Sequence, residues 1–186
     1  MMDRSSDTIE GAQHELRRAY LRGGPGTLVS GLVWLVAGAA AHQQGVRAGF
    51  LLLYFGGTLI FPISQLVTRG LLRQPAHRPG TIGARIVGET VVPMLGGFLG
   101  AWLLLPYRPS LVFPVAAVAV GAHYFGFRSA YGDVTFWLLG SLLCAVGLVP
   151  IFVIPAPAHA VAYAVSGIEV LFGAWLAAQS RFDRKQ

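Results

Sequence analysis

Six long apolar runs, separated by short polar breaks, limit what this chain can fold into. A helix needs about 20 apolar residues to cross the roughly 30 Å hydrocarbon core of a bilayer. Only 12% of the residues are charged, about half the share of an ordinary soluble domain. We therefore predict an all-α polytopic membrane protein, a bundle of six transmembrane helices, with five as the fallback number. The runs cover residues 27–44, 48–68, 84–105, 110–127, 133–154 and 157–179.

The breaks between the runs predict that neighbouring helices are antiparallel. Prolines interrupt helices, and they occur in QPAHRPG (74–80), PYRP (106–109) and PAPA (155–158). Breaks this short leave no room for a second, soluble domain. We expect a single transmembrane domain over 27–179, preceded by an N-terminal arm over 1–26 and followed by a tail over 180–186.

The N-terminal arm predicts a short amphipathic helix. Asp7 and Glu10 have the spacing of a capping box, apolar residues then recur at helical intervals, and Gly23 and Gly24 end the pattern. Such a helix lies either in the membrane surface or in solvent, and the sequence leaves both open. The arm and the first run also imitate a signal peptide, but four acidic residues before position 16 argue against cleavage.

Basic residues are distributed unevenly between the two faces that six spans imply. Twelve of the 14 arginines and lysines lie in the arm, in or beside the second and fourth breaks, or in the tail. The other face carries only Arg47 and Arg108. The positive-inside rule then places both termini in the cytoplasm. The net charge of +6 is thus explained by topology, and we expect no nucleic-acid partner.

Glu169 is the acidic residue that the sequence places deepest in a predicted span. It lies ten residues after His159 and twelve before Arg181, near the bilayer midplane, where a charge costs several kcal/mol unless it is paired, hydrated or protonated. We predict that Glu169 points into the bundle, either as a protonated acid bonded to a neighbouring helix or as a proton or cation site. The same helical face carries small residues, which line helix contacts in membranes: Ala162, Ser166, Gly173 and Ala177.

Glu89 lies nearer to the membrane surface, about two turns into the third run. Arg85 precedes it by one turn on the same helical face, which predicts an ion pair near the interface. A binding role at the mouth of the bundle is the alternative.

The segment GAHYFGFRSAYGD (121–133) is the densest group of polar and aromatic residues. Its side chains His123, Arg128 and Asp133 map to the same membrane face as Glu89 and Arg85, so they form a candidate binding site. The alternative is an ordinary interfacial belt, because aromatic residues such as Tyr124 concentrate at membrane boundaries.

Two stripes of small residues predict close contact with another helix. Gly96 and Gly100 form a small-xxx-small pair in the third run, and Ser166 and Gly173 lie in the sixth. We expect the lipid bilayer to surround the protein, and these stripes to contact either a second copy or another membrane protein.

No motif for metal, nucleotide or nucleophilic catalysis occurs in the sequence. It lacks the H-E-x-x-H, Walker and G-x-S-x-G patterns. Cys144 is the only cysteine, which excludes an intrachain disulfide. We therefore predict no catalytic residues, no metal site and no cofactor.

Three segments, SGLVWLVAG (30–38), GGTLIFPIS (56–64) and GAHYFGFRSAYGD (121–133), resemble a group of small bacterial multi-pass proteins defined as a domain of unknown function. The resemblance implies an integral protein of the bacterial cytoplasmic (inner) membrane and assigns no activity. Three functions stay open: translocation of a proton, ion or small solute through the bundle, which we favour; a membrane scaffold or accessory subunit; and an intramembrane enzyme acting on lipid headgroups.

Overall fold

The computed structural model describes residues 8–74 and 82–182, and this part of the chain is helical without a strand. The helices are α1 Ile9–Ala19, α2 Gly24–Gln44, α3 Val46–Gln65, α4 Ile82–Leu104, α5 Val112–Tyr131, α6 Thr135–Phe152 and α7 Ala158–Phe182. A π-helical segment, Leu66–Leu71, continues α3, and a short 3-10 turn, Pro109–Leu111, precedes α5.

Six of these helices are long and apolar enough to cross a membrane, which confirms the predicted all-α multi-pass bundle. Predictions for residues 1–7, 75–81 and 183–186 fall outside the described residues. The membrane-spanning segments are Leu21–Gln44, Val46–Leu71, Ile82–Leu104, Pro109–Tyr131, Thr135–Phe152 and Ala158–Ser180.

The start of α1 differs by one residue from the predicted capping box. Thr8 is the N-cap, and its hydroxyl accepts a hydrogen bond of 3.1 Å from the backbone N–H of Gly11. This oxygen satisfies one of the helix's free N–H groups, so Thr8 takes the role predicted for Asp7, which lies outside the described residues. After Ala19 the chain reverses through three residues with left-handed backbone angles: Leu21, Arg22 and Gly23.

Helix α1 packs on the bundle and does not extend into solvent. Its apolar face, Ala12, Leu16 and Ala19, is buried against α4 and α5. The side chain of Gln13 donates a 2.8 Å hydrogen bond to the carbonyl of Ser129. Neither alternative for the arm included this packing on the bundle.

The bundle consists of two helix groups, one formed by α2 and α3 and the other by α4, α5 and α6, which are joined through α7. Helix α2 packs on α3 and α7, α5 packs on α4 and α6, and α7 also contacts α5 and α6. Helices α3 and α4 therefore flank the bundle, each supported by one main partner. We call the end that carries α1, the start of α2 and the last turns of α7 the α1 end, and the opposite end the far end.

The small-residue stripe of α7 packs within the chain against α2. A Cβ added to Gly24 would lie 2.6 Å from the backbone nitrogen of Ala177, and one added to Gly173 would lie 2.7 Å from that of Leu28. Ser166 is also buried. The predicted helix contact is present, but it uses Ser166 and Gly173 inside the chain, so neither residue is available to a second protein.

The stripe on α4 has the opposite environment. A Cβ added to Gly96 or Gly100 would have no neighbouring atom within 4 Å among the described residues. Pro93, one turn before Gly96, is exposed as well. This face of α4 points away from the bundle, and the partner helix expected there remains a prediction.

Candidate functional site

Glu169 lies in the middle of α7 and is completely buried. The phenolic hydroxyl of Tyr124, on α5, donates a hydrogen bond of 2.9 Å to its Oε1 atom. The hydroxyl of Ser30, on α2, interacts with the same carboxyl group. Oε2 has no hydrogen-bond partner among the described residues. The carboxyl group therefore faces into the bundle, as predicted, and one of its oxygens keeps unused hydrogen-bonding capacity.

No basic side chain compensates a charge on Glu169. It forms no salt bridge within the described part of the chain. Helix α6 contains no charged or histidine residue, and the single histidine of α2, His42, lies at the far end. An isolated carboxylate costs several kcal/mol in such surroundings, so this environment accommodates the protonated acid.

Tyr124 is a core residue, which corrects its assignment to an interfacial aromatic belt. It is 4% exposed, and its ring stacks on Phe136 at a centroid distance of 6.1 Å. The ring of Phe127 meets it edge-on at 5.4 Å. Packing on both sides holds the ring in place, so the hydroxyl group stays directed at Glu169. The belt assignment failed because buried tyrosines are also common where the hydroxyl finds a partner.

A cavity of about 670 Å³ lies between α2, α3, α4 and α5. Ser30 and Trp34 of α2 and Tyr124 of α5 line it and are buried. By contrast, lining residues of α3 and α4, such as Phe61 and Leu95, are exposed. The cavity is therefore closed on the side of α2 and α5 and open between α3 and α4, towards the lipid.

Both ends of the cavity are covered by side chains. Towards the far end, the ring of Phe98 on α4 stacks on Phe50 of α3 at 5.9 Å and meets Tyr54 at 6.3 Å. At the α1 end, Leu16 and Tyr20 line the cavity. The Tyr20 hydroxyl accepts a 2.7 Å hydrogen bond from Nε2 of Gln65, which joins α1 to α3. Burial raises the pKa of the Tyr20 phenol, which keeps this contact neutral.

A layer of hydroxyl groups separates the cavity from Glu169. Thr27, Ser30 and Tyr124 line the cavity, whereas Glu169 does not. The hydroxyls of Thr27 and Ser30 also interact with that of Tyr124. A molecule in the cavity would contact these hydroxyl groups and would meet the carboxyl group of Glu169 directly behind them.

Glu89 and Arg85 lie apart from this site. Both side chains are exposed on α4, and no salt bridge joins them. The expected ion pair is thus absent. An arginine that precedes a glutamate by one turn is the weaker order, and such a pair gains only a few tenths of a kcal/mol at an exposed position.

His123, Arg128 and Asp133 do not converge with one another or with Glu89. The ring of His123 meets Phe127 edge-on at 4.8 Å and lines the cavity. The guanidinium of Arg128 lies 5.1 Å from the ring centre of Trp137. Positions 123 and 128 are about 140° apart around a helix, so these two side chains leave α5 on different faces. Of the three, the cavity includes only His123.

Asp133 has a structural partner at the α1 end. Its Oδ2 atom accepts a 2.6 Å hydrogen bond from Nη2 of Arg22, and its Oδ1 atom accepts one of 3.0 Å from the backbone N–H of Thr135. Burial acts to raise the pKa of this carboxyl group, but the bonds from Thr135 and Arg22 outweigh it, and the pKa lies below its usual value. This pair connects the turn before α2 to the turn before α6.

Within the described residues, no group of three or more histidine, cysteine and acidic side chains is arranged to hold a metal ion. One histidine pair does form at the far end, where the rings of His42 and His159 lie 4.6 Å apart.

Thr27, Ser30 and Trp34 are site residues that the sequence analysis missed. They recur at intervals of three and four along α2, all three are buried, and all line the cavity. Two hydroxyl residues on the same face of an apolar helix were the available signal, since polar side chains in spans tend to bond across helices.

Comparison with known proteins gives one match. The model of a family of unknown function (DUF7010) matches residues 9–179, and the chain therefore belongs to that family. No curated protein and no solved structure matches it.

Proposed function

We propose that this member of the DUF7010 family binds a small membrane-soluble molecule in the cavity between α2, α3, α4 and α5 as the first step in its translocation. One observation carries the proposal: a cavity of about 670 Å³ that is covered at both ends and open between α3 and α4. This is within the usual range of small-molecule sites, about 300–1,000 Å³. Because the opening faces the lipid, the ligand enters from the bilayer.

The two helices beside the opening are suited to movement. Each has one main packing partner, and each contains an internal proline, Pro62 in α3 and Pro93 in α4. Proline removes a backbone hydrogen bond from the helix, and the π-helical turn that follows α3 is a feature frequent at functional sites. We propose that α3 and α4 move apart to admit and release the ligand.

We also propose the orientation that the basic residues indicate. The α1 end, where most of the arginines lie, faces the cytoplasm of a bacterium, and the far end faces outward. The cavity then reaches from the cytoplasmic leaflet to about the middle of the bilayer.

Binding is tested by quenching of Trp34, which lies in the cavity wall and is 1% exposed. The probe is 4-bromobiphenyl, added to nanodiscs that contain a variant in which the other three tryptophans are replaced by phenylalanine. We expect saturable quenching. Quenching that only grows in proportion to the probe in the lipid would contradict the proposal.

Glycines in the cavity wall supply the matched variants. A Cβ at Gly57, Gly88 or Gly96 would meet no atom within 4 Å, but only Gly57 and Gly88 line the cavity. Gly57→Phe and Gly88→Phe place a ring at the opening and should weaken quenching, most strongly in combination. Gly96→Phe adds the same ring to the outer face of α4 and should leave quenching unchanged. Equal effects of all three changes would show that the probe quenches Trp34 from the lipid and not from the cavity.

A scaffold function is the second candidate, and it is favoured by the outward-facing pair Gly96 and Gly100. Close approach of another helix needs both positions small. If this pair is an assembly surface, Gly96→Phe should dissociate a complex recovered by cross-linking from native membranes while leaving Trp34 quenching intact. The lipid-headgroup enzyme receives no such support, because His123, Arg128 and Asp133 have separate partners.

A further inference from the structure

We infer that the cavity selects lipophilic cations, such as hydrophobic amines, and that Glu169 releases its proton when such a cation binds. This inference rests on the proposed function, since it requires that the cavity be a binding site. It is carried by the placement of one fully buried carboxyl group directly behind the hydroxyl layer of the cavity wall.

The charges around the cavity favour a cation. No arginine or lysine of residues 8–74 and 82–182 lines it, and its walls are mainly apolar and aromatic. The rings of Trp34, Tyr124 and Phe127 offer faces that attract a positive charge. The acidic side chain of Glu169 contacts the lining residue Tyr124 through a hydrogen bond. The arginines that contact lining residues, Arg69 at Tyr20 and Arg17 at the carbonyl of Tyr131, lie at the α1 end, so an anion beside Tyr124 would find no compensating charge at that depth.

The distance between the bound cation and the Glu169 carboxylate sets the expected gain in affinity. The Tyr124 hydroxyl lies 2.9 Å from Oε1 of Glu169, so a cation in contact with that hydroxyl is about 6 Å from the carboxylate. At an effective dielectric constant of about 20, opposite unit charges at this distance attract enough for a roughly 100-fold gain in affinity. This gain in affinity exists only when Glu169 is ionised. Binding of the cation is therefore coupled to release of the proton from Glu169.

The titratable groups that face Glu169 do not offer an alternative. From α5 the group is Tyr124, and from α2 the facing groups are the uncharged Ser30 and, through Tyr124, Thr27. His123 adjoins Tyr124 in the chain but bonds to the backbone of Thr90 on α4. Helix α6 contributes only Cys144 as a titratable residue, which contacts the carbonyl of Val118 on α5. The proton that leaves on cation binding therefore comes from Glu169 and passes to the aqueous phase.

The test uses two probes of the same shape in the Trp34 quenching assay. One is trimethyl[4-(4-bromophenyl)butyl]ammonium, and the other is the neutral brominated analogue in which carbon replaces its nitrogen. At equal concentration in the membrane, we expect the cation to bind about 10- to 100-fold more tightly, with the preference growing as pH rises. A pH indicator in weakly buffered solution should record proton release for the cation only.

Glu169→Gln keeps the shape of the side chain and removes its charge. We expect this variant to bind both probes equally and to release no proton, whereas Glu89→Gln, at an exposed position outside the cavity, keeps the cation preference. Thermal unfolding checks that both variants fold. Should Glu169→Gln be unfolded, Tyr124→Phe replaces it, because it breaks one of the two contacts, through Tyr124 and Ser30, between the carboxyl group and the cavity wall and should reduce the cation preference.

Each result decides between the two proposals. If wild type binds both probes equally well, the inference is wrong and the proposed function stands. If the cation preference survives in Glu169→Gln, aromatic rings alone select the cation and the role of Glu169 is wrong. If neither probe binds, the proposed function itself fails.

Discussion

The hydroxyl of Tyr124 donates a 2.9 Å hydrogen bond to Oε1 of Glu169 across the contact between α5 and α7. Both residues are buried, and they lie 45 positions apart in the sequence. Together with the contact from Ser30, this bond links a cavity open to lipid and a carboxyl group that lipid does not reach. The stability and the proposed chemistry of the site both depend on it.

The first prediction concerns the strength of this bond. Tyr124→Phe removes this donor from the buried carboxyl group, which keeps only its contact with Ser30, and this loss should destabilise the protein by about 1–3 kcal/mol. Glu169→Gln preserves an oxygen that accepts the same bond, so it should change stability little. Glu169→Leu should be as harmful as Tyr124→Phe because it removes the carboxyl oxygen that accepts the hydrogen bond of the Tyr124 hydroxyl. Unfolding in detergent by heat or denaturant measures these changes.

One outcome of these unfolding measurements would contradict this prediction. If Glu169→Gln unfolds the protein while Glu89→Gln does not, Glu169 is an ionised partner whose charge stabilises the fold, and the protonated form assumed here is wrong.

The second prediction concerns the contact between α2 and α7. Gly24→Ala would place its Cβ 2.6 Å from a backbone atom of Ala177, and the two helices must separate to accept it. We expect a loss of about 1–3 kcal/mol, as for other overpacked sites. Gly96→Ala is the control, because open space surrounds that position. Equal thermal stability of the two variants would show that α2 and α7 are not packed this closely.

The third prediction concerns pH and the pair of Arg22 and Asp133. The pKa of Asp133 is lower in the fold than its ordinary value, which is about 3.9. The contribution of Asp133 to the free energy of unfolding is therefore complete when the pH is above that ordinary pKa. It is lost as the pH falls through the lower pKa of the folded state. Wild type should lose stability between about pH 5 and about pH 3, and Asp133→Asn should lose less over the same interval. Glu89→Gln, which removes an exposed carboxyl group, should behave as wild type.

The fourth prediction concerns orientation in the membrane. A reporter that is active only in the cytoplasm should work when fused after Gln186, and one inserted between Arg108 and Pro109 should not. The reason is the positive-inside rule applied to the 12 and two basic residues on the two faces. The reverse pattern would place the α1 end outside, and the opening of the cavity would then lie in the outer leaflet.

Much of the site's neighbourhood was predictable, and its central contact was not. The small residues beside Glu169 correctly indicated that its side chain faces the bundle, because residues four and seven positions apart share a helical face. The same reasoning placed Gly96 and Gly100 on one face of α4, but it did not show that this face points outward. A helical pattern identifies a stripe and does not identify what covers it.

The amino-acid sequence by itself determined the helical class, the six spans and their approximate ends, because each span is decided locally by apolar length and by prolines in the breaks. Tertiary structure decided which spans adjoin. It placed Tyr124 against Glu169, paired Arg22 with Asp133, and left α3 and α4 separated by a cavity. These contacts join residues far apart in the chain, and in lipid they depend on how closely helix surfaces fit, since burial of apolar surface no longer distinguishes one helix pair from another.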